Sequence, residues 1–320
     1  DVNAVTYGNG RFVAVDSFSF PVSYSDDGFN WTANSFAGDD DSWNSVTYGN
    51  GVFVAVGQEG SSDRDVAMYS YDGINWATTT AAGDDDEWTS VTYGNGRFVA
   101  VGTPTGSDDV VMYSDDGVTW TPVSALGDND SWFDVTYGEG LFVAVASCQF
   151  TGDDCVMTSP DGITWTDRDA ADNNDDWYAI TYGNGRFVAA GGYGDDVVMY
   201  SDDGITWATT TALGDDDAWF GLDYANGYYV AGGNLDGNDR LMTSPDGVTW
   251  TSVTEVTASA SYEELIFGEG KLIIPLSGEI VYADAGFGED TPITLFVDEN
   301  ATTSSSTATT LTYGLNADAG

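Results

Sequence analysis

The stretch VTYGNGRFVAVG at residues 91–102 decides the fold of this chain, because it recurs along the whole sequence. Its other copies, with small changes, begin at Val5, Val46, Val135, Ile180, Leu222 and Leu265. The aromatic residues of these copies follow one another at intervals of 41 to 45 residues, at Tyr7, Tyr48, Tyr93, Tyr137, Tyr182, Tyr224 and Phe267. A period of this length indicates a repeat architecture in which each copy is one supersecondary unit.

A second block follows each of the first six copies and reads YSDDGVTW in the third copy. Its tryptophans are Trp31, Trp76, Trp120, Trp165, Trp207 and Trp250. In the third copy the two blocks together predict four short strands: Trp88 to Tyr93, Arg97 to Gly102, Val110 to Ser114, and a fourth that begins near Thr119 and Trp120. Asn95 and Gly96 tolerate the positive φ of a tight type I′ hairpin turn between the first two strands.

Four short strands in a period of just over forty residues are typical of one propeller blade. The sequence therefore predicts an all-β fold, a seven-bladed β-propeller of four-stranded antiparallel blades. We expect the propeller to occupy residues 1–298. The Ser/Thr-rich residues 299–320 are then a C-terminal tail or an added strand.

The charge of the chain excludes several classes of function. It has 53 acidic and 7 basic residues, a formal net charge of −46, and no histidine. Such a surface repels phosphates, so neither a nucleic-acid partner nor an anionic membrane surface is expected. No apolar run reaches the roughly 20 residues that a membrane helix requires, so we expect no membrane insertion. The absence of histidine excludes the Ser-His-Asp triad and histidine-ligated zinc.

The second block resembles the aspartate box of sialidase-like propellers, although here Asp116 and Gly117 are adjacent. The combined unit resembles repeats of virion proteins of tailed phages, notably marine cyanobacterial phages, and of bacterial surface proteins. This resemblance implies a tail-fibre, decoration or cell-surface protein. Physically, the box is expected to be structural. Its aspartate accepts backbone N–H groups across the turn, its glycine takes a positive φ, and its tryptophan packs into the blade.

Sialidase activity would imply an arginine cluster, a tyrosine nucleophile with a glutamate partner, and an acid/base aspartate. Arg11, Arg97 and Arg186 occupy the same position in blades one, three and five, so they are not neighbours around the ring. We expect them to pair with acidic residues on exposed turns. The prediction is that the protein is not an enzyme and has no catalytic residues, with a glycan hydrolase as the alternative.

Strand order assigns each connection to one of two faces. The connections between first and second strands and between third and fourth strands form the turn face; the remaining connections form the loop face. Sequence variation is concentrated on the loop face, which is how a rigid scaffold presents a recognition surface. We predict that this face binds a host-surface glycan, a neutral one given the acidic rim, or another virion or surface protein. Gln149, Phe150 and Tyr193 are the candidate contact residues, and a homo-oligomer within an assembly stays open.

Acidic clusters lie between successive repeats, and calcium is the one candidate cofactor, because Ca²⁺ prefers several oxygen ligands. None of the clusters has the spacing of a known calcium loop. A solvated acidic face suited to saline surroundings, or loops that fix the tryptophan entering the next strand, are the alternatives. The candidate metal ligands are Asp39, Asp41, Asp84, Asp86, Asp128, Asp130, Asp215 and Asp217.

Cys148 and Cys155 lie at the ends of one short loop, and we predict a disulfide between them. A disulfide would indicate an oxidising, extracellular setting. The alternative is a reduced pair in an intracellular assembly factor that binds proteins. The sequence as a whole favours a non-enzymatic binding or structural module on a virion or cell surface.

Overall fold

The computed structural model describes residues 2–16, 22–34, 42–58, 67–79, 87–104, 110–123, 131–147, 155–171, 176–192, 198–210, 218–234 and 241–252, together with the backbone of five later strands between residues 266 and 312. Every regular element in these residues is a β-strand. The described residues contain no helix of the length and apolarity needed to cross a membrane.

Six antiparallel blades of four consecutive strands account for residues 2–252. Their first strands are β1 (Val2–Gly8), β5 (Ser42–Gly49), β9 (Glu87–Gly94), β13 (Trp132–Gly138), β17 (Asp176–Gly183) and β21 (Ala218–Ala225). Their second strands are β2 (Arg11–Asp16), β6 (Val52–Gln58), β10 (Arg97–Thr103), β14 (Leu141–Ala146), β18 (Arg186–Gly192) and β22 (Tyr228–Asn234). Their third strands are β3 (Val22–Ser25), β7 (Ala67–Ser70), β11 (Val111–Ser114), β15 (Val156–Ser159), β19 (Val198–Ser201) and β23 (Leu241–Ser244). Their fourth strands are β4 (Thr32–Asn34), β8 (Ala77–Thr79), β12 (Thr121–Val123), β16 (Thr166–Arg168), β20 (Ala208–Thr210) and β24 (Thr251–Ser252).

The prediction of seven four-stranded blades is wrong: the structure is an all-β propeller with six four-stranded antiparallel blades. The degenerate copy at Leu265 lacks the second block, and the strands that follow it pair differently. They form one five-stranded antiparallel sheet of β25 (Ile266–Gly268), β26 (Lys271–Leu276), β27 (Glu279–Asp284), β28 (Thr294–Asp298) and β29 (Thr309–Thr312). In this sheet β29 pairs with β28, and β25 contacts both β1 and β21.

The tight turn between first and second strands forms as predicted. Asn95 has φ 51° and Gly96 has φ 82°, and the equivalent pairs of the other five blades have the same conformation. The fourth strand was placed too early. It begins at Thr121 in the third blade, because the Asp116 carboxylate still accepts the backbone N–H groups of Val118 and Thr119 and so prolongs the preceding turn.

The hydrophobic core lies between neighbouring blades. Both faces of each second strand are buried: Val54 and Val56 pack towards Trp88 of the next blade, whereas Phe53 and Ala55 pack towards the blade before. A strand buried on both faces reads as a continuous apolar run, which explains the block FVAVG. Each blade therefore depends on its neighbours for its core.

A glycine and a tyrosine of adjacent blades fit together at the turn-face end of the first strands. A Cβ atom added to Gly94 would lie 2.0 Å from Cγ of Tyr137 in the next blade. The same contact recurs at four other blade junctions of the described residues, namely Gly8 with Tyr48, Gly49 with Tyr93, Gly138 with Tyr182 and Gly183 with Tyr224. The repeated Tyr-Gly pair is thus the contact through which one blade seats on the next.

Candidate functional site

The turn face is made of nearly identical turns. In the second blade the Asp72 Oδ1 accepts the backbone N–H of Ile74 at 2.9 Å and of Asn75 at 2.7 Å, and the Ser70 hydroxyl at 3.1 Å. The indole N–H of Trp76 donates to the Gly73 carbonyl at 3.2 Å. The aspartates of the other five blades make the same two backbone contacts, at Asp27, Asp116, Asp161, Asp203 and Asp246.

Hydrogen bonding to the charged form holds the pKa of each of these six carboxyls below its usual range, against an opposing effect of desolvation. For Asp72, where desolvation raises the pKa but the bonds from Asn75, Ile74 and Ser70 outweigh it, the pKa is about 2. Each of these carboxylates accepts several hydrogen bonds from its own turn, so its oxygens are occupied by structural contacts. The turn face therefore carries six carboxylates that are engaged in structural hydrogen bonds.

The three arginines of odd-numbered blades are structural clamps on the same face. The Arg97 Nε donates to Asp115 at 2.7 Å, its Nη1 donates to the carbonyl of Asp161 in the next blade at 2.6 Å, and its guanidinium lies 4.4 Å from the ring centre of Tyr113. Arg11 and Arg186 make the equivalent contacts. The three side chains stay in separate blades and do not form a carboxylate-binding cluster.

The first strands of the six blades surround a cavity of about 320 Å³ on the axis of the ring. Its lining residues lie in the central part of each strand, for example Asn44 to Thr47 of β5 and Thr89 to Thr92 of β9. We call this region the channel mouth and define it by Asn3, Asn44, Thr89, Phe133, Tyr178 and Phe220 with the residues that follow each of them on its strand.

A β-bulge directs these six side chains into the channel mouth. In each blade the pairing of the first and second strands shifts register around one unpaired residue of the first strand. The six unpaired residues are Asn3, Asn44, Thr89, Phe133, Tyr178 and Phe220. Bulges re-aim side chains and are common beside binding sites. A glycine on the partner strand makes room for the bulge in the second blade, since a Cβ at Gly57 would lie 2.0 Å from the Ser42 carbonyl oxygen.

Half of the channel mouth is aromatic. The ring centres of Phe133 and Tyr178 lie 5.2 Å apart, and those of Tyr178 and Phe220 lie 4.7 Å apart. The Tyr178 hydroxyl donates to Asp176 at 3.3 Å, and the Ser147 hydroxyl donates to the other oxygen of that carboxylate. Phe133, Tyr178 and Phe220 thus form a continuous aromatic arc across blades four to six.

The other half of the channel mouth is polar and ties neighbouring blades together. The Asn3 amide donates to the Trp43 carbonyl at 2.9 Å, and the Asn44 amide donates to the Trp88 carbonyl at 2.9 Å. The Thr89 hydroxyl lies 2.7 Å from the Trp132 carbonyl, to which it donates. The channel mouth therefore differs from blade to blade, although the strands around it are copies of one another.

Asp134 is a carboxylate in the wall of this cavity. Its Oδ1 accepts the Ser90 hydroxyl at 2.7 Å and its own chain's Val135 N–H at 2.8 Å, and its Oδ2 accepts the Ile180 N–H at 2.8 Å. Desolvation by the surrounding protein raises the pKa of Asp134 to about 6, although these bonds oppose the shift. Asp134 thus links three blades through its carboxylate.

The residues singled out from the sequence as binding or metal sites lie outside the described residues. These are Gln149, Phe150, Tyr193, Asp39, Asp41, Asp84, Asp86, Asp128, Asp130, Asp215 and Asp217. The part of the chain that the structure describes contains no group of three or more residues able to hold a metal ion. Calcium binding and the contact residues stay predictions.

The disulfide also stays a prediction, because Cys148 lies outside the described residues. Cys155 is fully buried and packs with Val143, Val145 and Trp177.

Sequence reasoning missed the channel mouth, although a signal was present. Within the otherwise repeated first strands, the residue after the first tryptophan is Asn44, Thr89, Phe133, Tyr178 or Phe220, and the next position holds Asp134 in a single blade. Divergence at these two columns, inside a block that is nearly constant elsewhere, marks the positions that face the channel.

Comparison with known proteins supports the fold and goes no further. No family model and no curated protein matches the chain. Among solved structures it is similar to virginiamycin B lyase from Staphylococcus aureus, with 10% identity over 86% of this chain and 91% of that one and a TM-score of 0.73. It is also similar to YCF48 bound to D1 peptide, with 16% identity over 88% and 92% of the two chains and a TM-score of 0.65.

A third similar structure is the WD40 β-propeller domain of Doa1, with 14% identity over 88% of this chain and 91% of that one and a TM-score of 0.65. All three structures support the propeller architecture. At these identities they establish the fold alone.

Proposed function

We propose that the protein is a non-enzymatic binding module that takes a protein partner at its loop face, with the channel mouth as the centre of the contact. One observation carries the proposal: a bulge in every blade delivers a different side chain to the same cavity, whereas the turn face repeats a single structure six times. Binding sites are concave and combine apolar walls with a few fixed polar groups, and this cavity has both.

Two further points support a binding role. YCF48, one of the similar propellers, was solved with a bound peptide. A catalytically inactive variant of virginiamycin B lyase has a histidine replaced by alanine, whereas this chain has no histidine to serve in that role. Because similar propeller folds have different functions, the binding role is inferred from the side chains of the channel mouth and not from the fold.

A location on a virion or cell surface is part of the proposal and rests on the sequence. The resemblance of the repeats to phage and bacterial surface proteins supports it, as does the net charge of −46, since such a charge keeps an exposed protein soluble and separate. A glycan ligand at the same face is the alternative, because an aromatic arc is also a surface on which sugars stack.

A selection experiment tests the proposal with a matched pair of variants. Immobilised protein is presented with a library of displayed random peptides and, separately, with a glycan array. Tyr178→Ala removes the middle of the aromatic arc, and Tyr71→Ala removes a tyrosine that is 62% exposed on the turn face. Circular dichroism and thermal melting of both variants confirm that the fold is retained.

We expect peptides that bind the wild type and Tyr71→Ala but are lost with Tyr178→Ala. Retention by Tyr178→Ala with loss in Tyr71→Ala would show that the turn face is the binding surface. Glycans bound in place of peptides would replace the protein partner by a carbohydrate, and no retained ligand of either class would reject the binding role.

A further inference from the structure

The chemistry of the channel mouth selects the charge of what it holds. Resting on the binding function proposed above, we infer that the channel mouth is a site for one organic cation, an ammonium or guanidinium group of the partner, with the Asp134 carboxylate as its counter-charge and the aromatic arc as its wall.

Several polar groups of the cavity use a donor hydrogen in a bond to the protein. The Ser90 hydroxyl donates to Asp134, the Thr89 hydroxyl donates to a main-chain carbonyl, and the Asn44 amide donates to another. A hydroxyl has one donor hydrogen and two acceptor lone pairs. Thr89 therefore presents oxygen lone pairs to a ligand, and Asn44 presents its carbonyl oxygen beside one remaining N–H. These oxygens suit a group rich in N–H donors.

Asp134 has capacity for one more donor. Each carboxylate oxygen has two lone-pair sites. Oδ1 accepts two bonds, from Ser90 and Val135, whereas among the described residues Oδ2 accepts one, from Ile180. The unfilled site belongs to a carboxylate oxygen in the cavity wall, and hydrogen bonds in which one partner is charged, such as an ammonium donor, are about twice as strong as neutral ones.

The aromatic arc lies beside this carboxylate. Tyr178 is two positions before Ile180, the residue that donates to Asp134 Oδ2, and Phe133 precedes Asp134 on its own strand. Aromatic rings within about 6 Å of a cation stabilise it through their quadrupole, and more strongly in desolvated sites. A carboxylate that lines the same cavity as three rings binds a cation better than either element alone.

The electrostatic field favours the same ligand. The titratable side chains lining the cavity are Asp134, Tyr178 and Asp223, and none of the residues that line it is a lysine or arginine. A cleft lined by one sign of charge concentrates ligands of the opposite sign. With a net charge of −46 over the whole chain, the approach to the channel mouth is attractive for cations.

Small probes test this inference without knowledge of the partner. Butylammonium and butylguanidinium are titrated into the protein at constant ionic strength, with 1-butanol as the neutral probe, and binding is followed by the chemical shifts of the Trp and Tyr side chains. Asp134→Asn removes the charge while an acceptor oxygen is retained. Asp169→Asn removes the same charge from an exposed residue that does not line the cavity.

We expect both cations to bind the wild type and Asp169→Asn equally, and Asp134→Asn about tenfold more weakly, the size expected for one charge-assisted contact. Phe220→Leu, which leaves Asp134 in place, should weaken the cations several-fold and 1-butanol little. Equal cation affinity in the wild type and Asp134→Asn, or a 1-butanol affinity that matches that of the cations, would overturn the inference.

If Asp134→Asn alters the fold, seen as lost near-ultraviolet circular dichroism, then Phe220→Leu together with the difference between the cations and 1-butanol decides the question. Failure of this inference is distinct from failure of the proposed function. A selected peptide that binds the wild type and Asp134→Asn equally would reject the cation site and leave the binding function standing. If butylammonium binds but no peptide is retained, the cation site is supported and the proposed binding of a protein partner is rejected.

Discussion

The turn face and the channel mouth belong to the same six blades, yet they differ in regularity. On the turn face, six aspartates make the same two backbone contacts. In the channel mouth, six equivalent bulge residues are of four different types. Positions that repeat in every blade therefore stabilise the fold. Positions that diverge inside an otherwise repeated block indicate the candidate binding site.

The carboxylates of the two regions also respond to pH in opposite directions. Hydrogen bonds keep the pKa of the turn-face aspartates low, so these residues favour the folded state once they are ionised. Desolvation raises the pKa of Asp134, so ionisation of this residue disfavours the folded state. A structural carboxylate and a candidate ligand-binding carboxylate can thus be told apart by experiment.

The largest expected effect concerns the glycines of the frame. Gly94→Ala places a methyl group 2.0 Å from the Tyr137 ring, whereas Gly96→Ala adds it to open space at a positive φ. We expect Gly94→Ala to lower the free energy of unfolding by about 3 kcal/mol through overpacking, and Gly96→Ala by about 1 kcal/mol through backbone strain. Urea denaturation of the two variants measures the difference.

A second substitution checks the cause. Tyr137→Ala in the Gly94→Ala background should destabilise the protein by less than the sum of the two single substitutions, because the clash is absent once the ring is removed. Equal destabilisation by Gly94→Ala and Gly96→Ala would mean that blades do not seat on one another through the Tyr-Gly pair.

Next in size is the aspartate of one turn. Asp72→Ala removes the acceptor of two backbone N–H groups, and hydrogen bonds to charged groups are worth about 1.5–3 kcal/mol. We expect a loss of about 2 kcal/mol at pH 7, measured by chemical denaturation. The neighbouring Tyr71→Ala, in the same turn but exposed, should change stability by less than about 0.5 kcal/mol.

The pH dependence of this loss follows from the low pKa of Asp72. Its folded-state pKa of about 2 lies below the ordinary value of 3.8, so its contribution is complete above about pH 4 and is lost as the pH falls towards 2. The gap between Asp72→Ala and the wild type should therefore narrow over that interval. A gap of constant size would argue that the charge of the carboxylate has no part in the turn.

Ionisation of Asp134 should have the opposite effect on the free energy of unfolding. Its folded-state pKa of about 6 lies above 3.8, so the folded state holds the proton more tightly and the free energy of unfolding falls as the pH rises from about 4 to 6. We expect Asp134→Asn to remove about 1–2 kcal/mol of this fall, less than the full shift implies because the side chain faces the channel. Denaturation at pH 4 and pH 7 gives the difference.

Asp169→Asn provides the control for loss of one negative charge from this very acidic chain. If Asp134→Asn and the wild type lose the same stability between pH 4 and pH 7, then Asp134 is not the desolvated group, and the contrast between the two carboxylate classes fails.

The sequence predicts much of the frame and little of the site. The hairpin turn follows from Asn95 and Gly96, and the blade from the spacing of Tyr93 and Trp120, because these features are local and repeated. The blade number was wrong because the copy at Leu265 keeps the first block and loses the second. Its later strands instead include β29, which pairs with β28 as a fifth strand that the six earlier blades do not have.

The channel mouth was missed for a different physical reason. Alternation along a strand places every second residue on one face, but a bulge after Trp132 shifts the register and sends Phe133 into the channel. Nothing in Phe133 and Asp134 alone predicts that shift. Only alignment of the repeats shows that these two positions diverge while Val135 and Tyr137 do not.

The smallest expected effect tests whether the turn face is a passive frame. Arg97→Val installs the residue that the second blade carries at the same position, Val52. The Arg97 side chain is 20% exposed and its partner Asp115 is 67% exposed, so water reaches the ion pair from the carboxylate side. Exposed pairs contribute about 0.2–1 kcal/mol, and we expect a loss of about 0.5 kcal/mol that diminishes as salt is added.

A double-mutant cycle with Asp115→Asn isolates the pair, and Arg97→Lys separates charge from geometry, because lysine cannot reach Asp115 and the Asp161 carbonyl with one planar group. A coupling energy below about 1 kcal/mol, with no change in the binding of any selected peptide, fits a frame that holds the blades and contacts no partner. A coupling energy above about 2 kcal/mol, or loss of peptide binding, would mean that the turn face has a role beyond holding the blades together.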